Sequence, residues 1–362
     1  MFFVKARPEI EKLAPYVQGQ SAIDGIENPI KLSSNESPLG PSPKAIEAYS
    51  RTASNLFRYP DGSQTELREA IAAAHGLDPM RVICGNGSEE LMQIMIRTFL
   101  GAGDEAIISE YCFGICKLHA FAQGAVVRTA KEPDCIMSVD NILAEVTEKT
   151  KFIAISTPNN PPGTYLSKNE LYRLHAALPK HVLLLVDGAY AEYVTASDYD
   201  CGLDLAKEAG NVITTRTFSK LYGLAGLRIG WSYGPAYIIE LMQRLRTPFN
   251  ANAAAMAAAA AAISDQEYAD RIRVYNNDWR TRMMAALSNL GLEVFPSVTN
   301  FILMRFPVGN HSPEGAWNHL IADGIIPRPV NSGGPERCLR VSVGLAEENE
   351  AFIRSISSYM RG

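Results

Sequence analysis

From residue 106 to residue 234, short apolar runs alternate with longer amphipathic ones, and this alternation limits the chain to very few folds. The apolar runs are AIISE (106–110), AVVRTA (125–130), KFIAIST (151–157), HVLLLVD (181–187), NVITTRTFS (211–219) and RIGWSYG (228–234). Helix-like segments lie around them, among them SEELMQIMIRTFL (88–100), SKNELYRLHAAL (167–178) and PAYIIELMQRLR (235–246). A run such as VLLLV has no polar face, as expected for a strand in a sheet covered on both sides. Strand and helix in alternation imply mostly parallel pairing through right-handed crossovers, hence an α/β core.

After about Arg246 the pattern changes. TPFNANAAAM opens an alanine-rich helix, and residues 267–291 read as one long amphipathic helix ending at Gly291. Strand-like pieces at 292–306 and 338–344 follow, with the helix GAWNHLIADG between them, which suggests a smaller second domain. A chain of 362 residues is long enough for two cores. The expected division is an N-terminal arm (1–30) packing on the small domain, a large domain (31–250) and a small C-terminal domain (251–362).

Composition removes other classes. A net charge of −5 opposes nucleic-acid binding, and no apolar stretch reaches the roughly 18 residues a membrane helix needs. Six cysteines without a CxxC pair offer neither a disulfide framework nor a zinc site, so no metal is expected. A reduced, cytoplasmic globular protein is the expectation.

Four segments carry chemistry. GNGSEEL (85–91) follows a strand-like RVIC and opens a helix, a geometry that turns free N–H groups toward an anion. It has no GK[ST] and no complete GxGxxG, which sets aside a Walker loop and a nicotinamide dehydrogenase. TPNNPPGTY (157–165) is a turn at the exit of a strand, and turn-making alone accounts for its residue types. In VDGAYAEY (186–193), Asp187 ends an apolar strand, where a carboxylate is costly unless paired or facing a ligand; capping the next segment is the other reading. TRTFSKLYGLAGLRIG (215–230) gathers Thr217, Ser219, Lys220 and Arg228, a donor set suited to a phosphate dianion beside a lysine. Gly226 and Gly230 there are expected to allow close backbone approach.

In this order, GNGSEE, NNPPG, DGAYAEY and TFSKLYGLAGLRIG resemble the fold-type-I aminotransferases that use pyridoxal 5′-phosphate, and within them the histidinol-phosphate aminotransferase family. LAPYVQG (13–19), KLSSNESPLGPSPKA (31–45), RYPDGSQTELREAIA (58–72) and CLRVSVG (338–344) extend the resemblance over essentially the whole chain. It implies a large domain with a mostly parallel seven-stranded sheet flanked by helices, plus a smaller α+β domain. It further implies that Lys220 forms the internal aldimine and shuttles a proton, a double task open to an amine and closed to arginine. Asp187 would pair with the ring nitrogen, and Asn160 and Tyr190 would bond the ring hydroxyl oxygen. Ser88, Glu89, Thr217, Ser219 and Arg228 would form the phosphate cup. Tyr59 would reach the phosphate of a neighbouring subunit, which implies a homodimer with shared sites. Phe113 would stack on the ring, with Tyr111 as the other candidate.

On the substrate side the resemblance implies Arg340 as the anion grip, with Arg328, Tyr16 and Asn35 beside it. The implied reaction exchanges an amino group between L-histidinol phosphate and 2-oxoglutarate, a step of histidine biosynthesis giving imidazole acetol phosphate and L-glutamate. The alternative is an aromatic amino-acid aminotransferase with the same machinery, and a phosphothreonine decarboxylase ranks third. A DNA-binding regulator built on this fold is not expected, since the matching pattern begins by about residue 13. Three departures from the family stand out: Pro162 where threonine is common, Cys116 where tyrosine is usual, and an altered stretch at 330–338.

Overall fold

The structure is a computed structural model that describes residues 4–15, 19–112, 114–330 and 334–362. Its strands in chain order are β1 (Ile30–Lys31), β2 (Val82–Gly85), β3 (Glu105–Ser109), β4 (Val126–Ala130), β5 (Thr150–Ser156), β6 (Leu183–Asp187) and β7 (Val212–Thr217). They continue with β8 (Gly230–Tyr233), β9 (Glu293–Val294), β10 (Phe301–Arg305), β11 (Ile325–Ile326), β12 (Arg328–Pro329) and β13 (Cys338–Ser342). The central sheet has seven strands in the order β2-β8-β7-β6-β5-β3-β4. β4, β3, β5, β6 and β7 pair in parallel, and β8 runs antiparallel to both its neighbours.

The doubly apolar strands explain the layering. All five residues of β6 are buried. Leu184 and Val186 enter the core on one face, while Leu183 and Leu185 enter the core on the other. This is the side-chain alternation of a strand covered by helices on both sides. β8 departs from the parallel expectation because residues 218–229 hold no crossover helix, only the short 3₁₀ turn Ala225–Leu227. Without a crossover the chain returns alongside β7 antiparallel, Thr217 opposite Gly230.

The alanine-rich helix Ala253–Ser264 is capped by Asn252, whose side chain accepts from Ala255 N at 2.7 Å. Its buried alanines let it lie close against the helices Pro43–Arg51 and Thr65–His75. It therefore belongs to the core of the large sheet. The next helix, Gln266–Asn289, passes from that core, through Ala269 and Ile272, to a second one, through Trp279, Met283 and Leu287.

The second core covers an antiparallel sheet ordered β12-β13-β10-β9. The strand-like stretch 292–306 is two strands, because residues 295–300 turn away between them. In the arm, β1 pairs with β11 and so joins the small sheet's helical layer. Further upstream, the Arg7 side chain donates to Ala122 O at 2.6 Å, so the start of the arm meets a helix of the large core as well. We propose domains near 1–30, 31–250 and 251–362, with the helix Ala253–Ser264 of the last segment packed on the large core and the change of core falling inside Gln266–Asn289.

Candidate active site

The exits of β5, β6 and β7 point to one crevice, as the carboxyl ends of parallel strands do in open α/β sheets. Asp187 closes β6 and is 7% exposed. Burial pushes its carboxyl up to about 6, against the pull of Thr215, the Ala189 N–H, Ser156 and Lys220. Thr215 Oγ1 donates to its Oδ1 at 3.2 Å.

Lys220 follows β7. Burial, with the Arg340 charge second, pulls its amine down to about 8. Its Nζ donates to Ser34 O at 3.3 Å and lies 5.6 Å from the Tyr190 ring centre.

The Tyr190 hydroxyl accepts from Asn35 Nδ2 at 2.9 Å and from Asn160 Nδ2 at 3.4 Å. Asn160 Oδ1 in turn accepts from Arg340 Nη1 at 2.5 Å, and Ser33 O accepts from Arg340 Nη2 at 2.8 Å. Asn35, with φ of 56°, is fixed by Ser342, whose hydroxyl accepts from Asn35 N at 2.8 Å and donates to Asn35 Oδ1 at 3.0 Å. Asn35, Tyr190, Asn160 and Arg340 are thus one connected polar group, with Lys220 Nζ beside it over the Tyr190 ring.

A second cluster forms where β8 meets the helix Ser88–Phe99. A Cβ on Gly230 would lie 2.5 Å from Ser88 N, and one on Gly87 would lie 2.7 Å from Arg228 Nη2. Glycine at both positions keeps bare backbone beside the helix start. Gly226, by contrast, has open space around it and is not a close-approach position. Arg228 Nη1 donates to Ser219 Oγ at 3.3 Å, and Ser219 N donates to Thr217 Oγ1 at 3.1 Å. Ser88 is half-buried and the Glu89 side chain is exposed, so Glu89 offers its backbone N–H here.

Arg328 stands opposite Arg340 in the β12–β13 register, and a Cβ on Gly19 would come within 3.1 Å of its Nη1. Tyr59 lies apart from this group, 83% exposed and stacked on Phe249 at 4.7 Å. Tyr16 and Phe113 fall outside the described residues; Tyr111, the other ring candidate, is half-buried. Of the departures, Cys116 is a packing residue, its Sγ 3.6 Å from Met92 Sδ. Pro162 is buried, in a loop whose Gly163 O accepts from Val298 N at 3.0 Å.

Sequence reasoning missed Ser34, Ser342, Thr215 and Asn300. Asn300 Nδ2 donates to Asn35 O at 3.0 Å and supports the Asn35 loop. Thr215 alone had a readable signal, being two residues before Thr217 and so on the same strand face.

The donors fit a flat, phosphorylated, aldehyde-bearing pyridine: an amine for the aldehyde and a buried carboxylate for a protonated ring nitrogen. An amide and a phenol suit the ring hydroxyl, and hydroxyls, an arginine and a helix start suit the phosphate. Among the described residues no cluster of metal-ligating side chains occurs, and no helix is long and apolar enough to cross a membrane.

Residues 27–356 match the family described as aminotransferase class I and II, and the chain belongs to that family. Among its curated relatives, the histidinol-phosphate aminotransferase of Paramagnetospirillum magneticum is 44% identical over 355 residues, covering 98% of each chain. That of Rhodospirillum centenum is 43% identical over the same length and coverage. The crystal structure of histidinol-phosphate aminotransferase from Sinorhizobium meliloti, in complex with pyridoxal 5′-phosphate, superposes with a TM-score of 0.89 at 26% identity. It covers 99% of this chain and 98% of that one. The fold is the α/β fold of the fold-type-I transferases.

Proposed function

We propose that the chain is a pyridoxal-phosphate-dependent aminotransferase that converts L-histidinol phosphate and 2-oxoglutarate to imidazole acetol phosphate and L-glutamate, in histidine biosynthesis. The observation that carries this reading is the half-buried Lys220 amine, held by Ser34 O and lying over the Tyr190 ring, whose hydroxyl shares Asn160 with Arg340. When bound, the cofactor supplies an electron-accepting ring that weakens the Cα–H bond of the amino donor.

The chain's own residues do the rest. Lys220 Nζ, its amine drawn down to about 8, is the group that would hold the cofactor aldehyde and, once released from it by the incoming amino donor, would take the proton from the donor Cα. Asp187 holds the proton on the ring nitrogen. Its carboxylate stays ionised at neutral pH because Thr215, Ser156 and the Ala189 N–H bond it. Asn160 and Tyr190 would orient the ring through its hydroxyl oxygen. The N–H groups of Ser88 and Glu89, with Thr217, Ser219 and Arg228, would hold the phosphate.

Arg340 would bind the anionic end of each substrate, the phosphate of one and a carboxylate of the other, with Arg328 and Asn35; the family resemblance assigns Tyr16 to the same task. By the family resemblance, Phe113 would be the ring that stacks on the cofactor. Tyr59, exposed here, would serve the site of a second copy in a homodimer with shared sites, and the cytoplasm is the proposed location.

Steady-state glutamate formation from the two named substrates tests the reading, with Lys220→Ala as the control. Turnover that falls by about 10⁴-fold in the folded variant supports it. Near-native turnover in that variant removes Lys220 from its role.

A further inference from the structure

Behind the Asn160 loop lies a carboxylate that the reaction does not use. Glu132, just past the end of β4, is 2% exposed. Its Oε2 accepts from Asn159 Nδ2 at 2.9 Å, and its Oε1 accepts from Tyr111 N at 3.3 Å. Asn159 is 1% exposed, and its Oδ1 accepts from Asn160 N at 2.9 Å. One residue further, the Asn160 side chain meets both Tyr190 and Arg340. An unbroken line of hydrogen bonds therefore runs from Glu132 through Asn159 to the backbone of Asn160, whose amide meets the anion-binding arginine. The same carboxylate fixes the backbone at Tyr111.

We propose that Glu132 is a positioning residue, whose two carboxylate oxygens hold the Asn159–Asn160 loop and the Tyr111 backbone so that Asn160 is aimed at Tyr190 and Arg340. The claim about substrate binding rests on the aminotransferase reading above; the claim about loop position does not. Both partners are donors, so both oxygens must accept, a condition that only the ionised form meets without strain. Burial lifts this carboxyl to about 7, opposed by Ser109, the Tyr111 N–H and Asn159, and reinforced by the Glu110 charge. Glu110 itself accepts from Glu132 N at 3.0 Å and pairs with Lys131 at 2.6 Å; the Cys135 thiol also faces the group. As pH falls through about 7, one oxygen becomes a donor and one of the two bonds is lost.

The test is Glu132→Gln, a mimic of the protonated carboxyl, together with the double variant Glu132→Gln/Asn159→Asp. In the double variant the introduced amide donates to the introduced carboxylate and still accepts from Tyr111 N, so the line is rebuilt with its polarity reversed. The expected result for the single variant is a donor KM about tenfold higher, with kcat within about twofold. The wild-type rise in KM below pH 7 should be absent in it, and the double variant should return toward wild-type KM. The apo protein's affinity for pyridoxal 5′-phosphate, read by fluorescence titration, should follow the same order of variants. Thermal melting checks that both variants fold. A folded single variant with wild-type KM and wild-type pH dependence overturns the proposal, as does a double variant no better than the single one. If wild type turned over no amino donor, the functional reading would fail, while the cofactor titration would still decide the role of Glu132.

Discussion

Arg340, in the middle of β13, donates to the side-chain oxygen of Asn160, 180 positions earlier, at 2.5 Å. The bond ties an arginine of the small sheet to the loop leaving β5 of the large one. Under the proposed function, this one pair of side chains would set the position of both substrate and cofactor. The arginine also depresses the Lys220 amine, second only to burial.

Two effects follow from removing Arg340. Arg340→Ala should raise KM for both the phosphate and the carboxylate substrate by about ten- to a hundredfold, the equivalent of roughly 1.5–3 kcal/mol for a charge-assisted contact. It should also move the Lys220 amine upward from about 8, since a nearby positive charge is gone. Substrate kinetics check the first effect, and the pH dependence of cofactor capture checks the second. Loss of cofactor binding altogether would mean that Arg340 has a different task.

Capture of the cofactor should itself depend on pH in a defined sense. Attack on an aldehyde needs the neutral amine, so the capture rate of the apo protein should climb with pH and level off above about 8. In the unfolded chain the same lysine holds its proton up to its usual 10.5. Between about 8 and 10.5 the unfolded state therefore binds a proton that the folded state does not, and the contribution of Lys220 to stability rises with pH across that window. Stopped-flow absorbance after mixing apo protein with cofactor at stepped pH measures the first trend. A rate still climbing steeply at pH 10 would contradict the depressed amine.

Stability should depend strongly on one buried ion pair next to the site. Arg216 on β7 meets Glu192 at 2.8 Å, with both side chains 5% exposed. Glu192→Ala leaves the guanidinium buried without its counter-charge and should cost about 3–5 kcal/mol. Denaturant melts of the apo protein give the number; a loss under about 1 kcal/mol would show that the site relaxes around the arginine.

Aromatic amino acids should be slow alternative donors. Phenyl and imidazole rings are close in size and shape, and a size difference of about one methylene is worth about 1–3 kcal/mol of discrimination. Assays with phenylalanine and tyrosine should detect activity at roughly one part in ten to one part in two hundred of kcat/KM. None above background in an otherwise active preparation would count against a pocket of this kind.

Much of the large sheet was legible because its signals are local. VLLLV shows no polar face and ends at Asp187, and Lys220 follows the more polar strand run NVITTRTFS. The direction of β8 was not legible, since apolar periodicity is the same for either direction and only the missing crossover helix decides. Neither was the packing of the alanine-rich helix on the large core, because an all-apolar helix carries no stripe to show which partner it meets. The site was readable as residue types and hidden as contacts. Arg340 with Asn160, and Asn300 with Asn35, are joined only by the folded chain. The arm's Arg7 contact with Ala122 is of the same kind.

The most direct test of the central claim is a single half-reaction. Cofactor-loaded protein, without 2-oxoglutarate, is mixed with L-histidinol phosphate, and both the visible absorbance and the released imidazole acetol phosphate are followed. The account predicts a saturable loss of the cofactor's visible band with one equivalent of product per loaded subunit, both absent in Lys220→Ala. A normal visible band that responds to phenylalanine and ignores histidinol phosphate would contradict the assigned substrate.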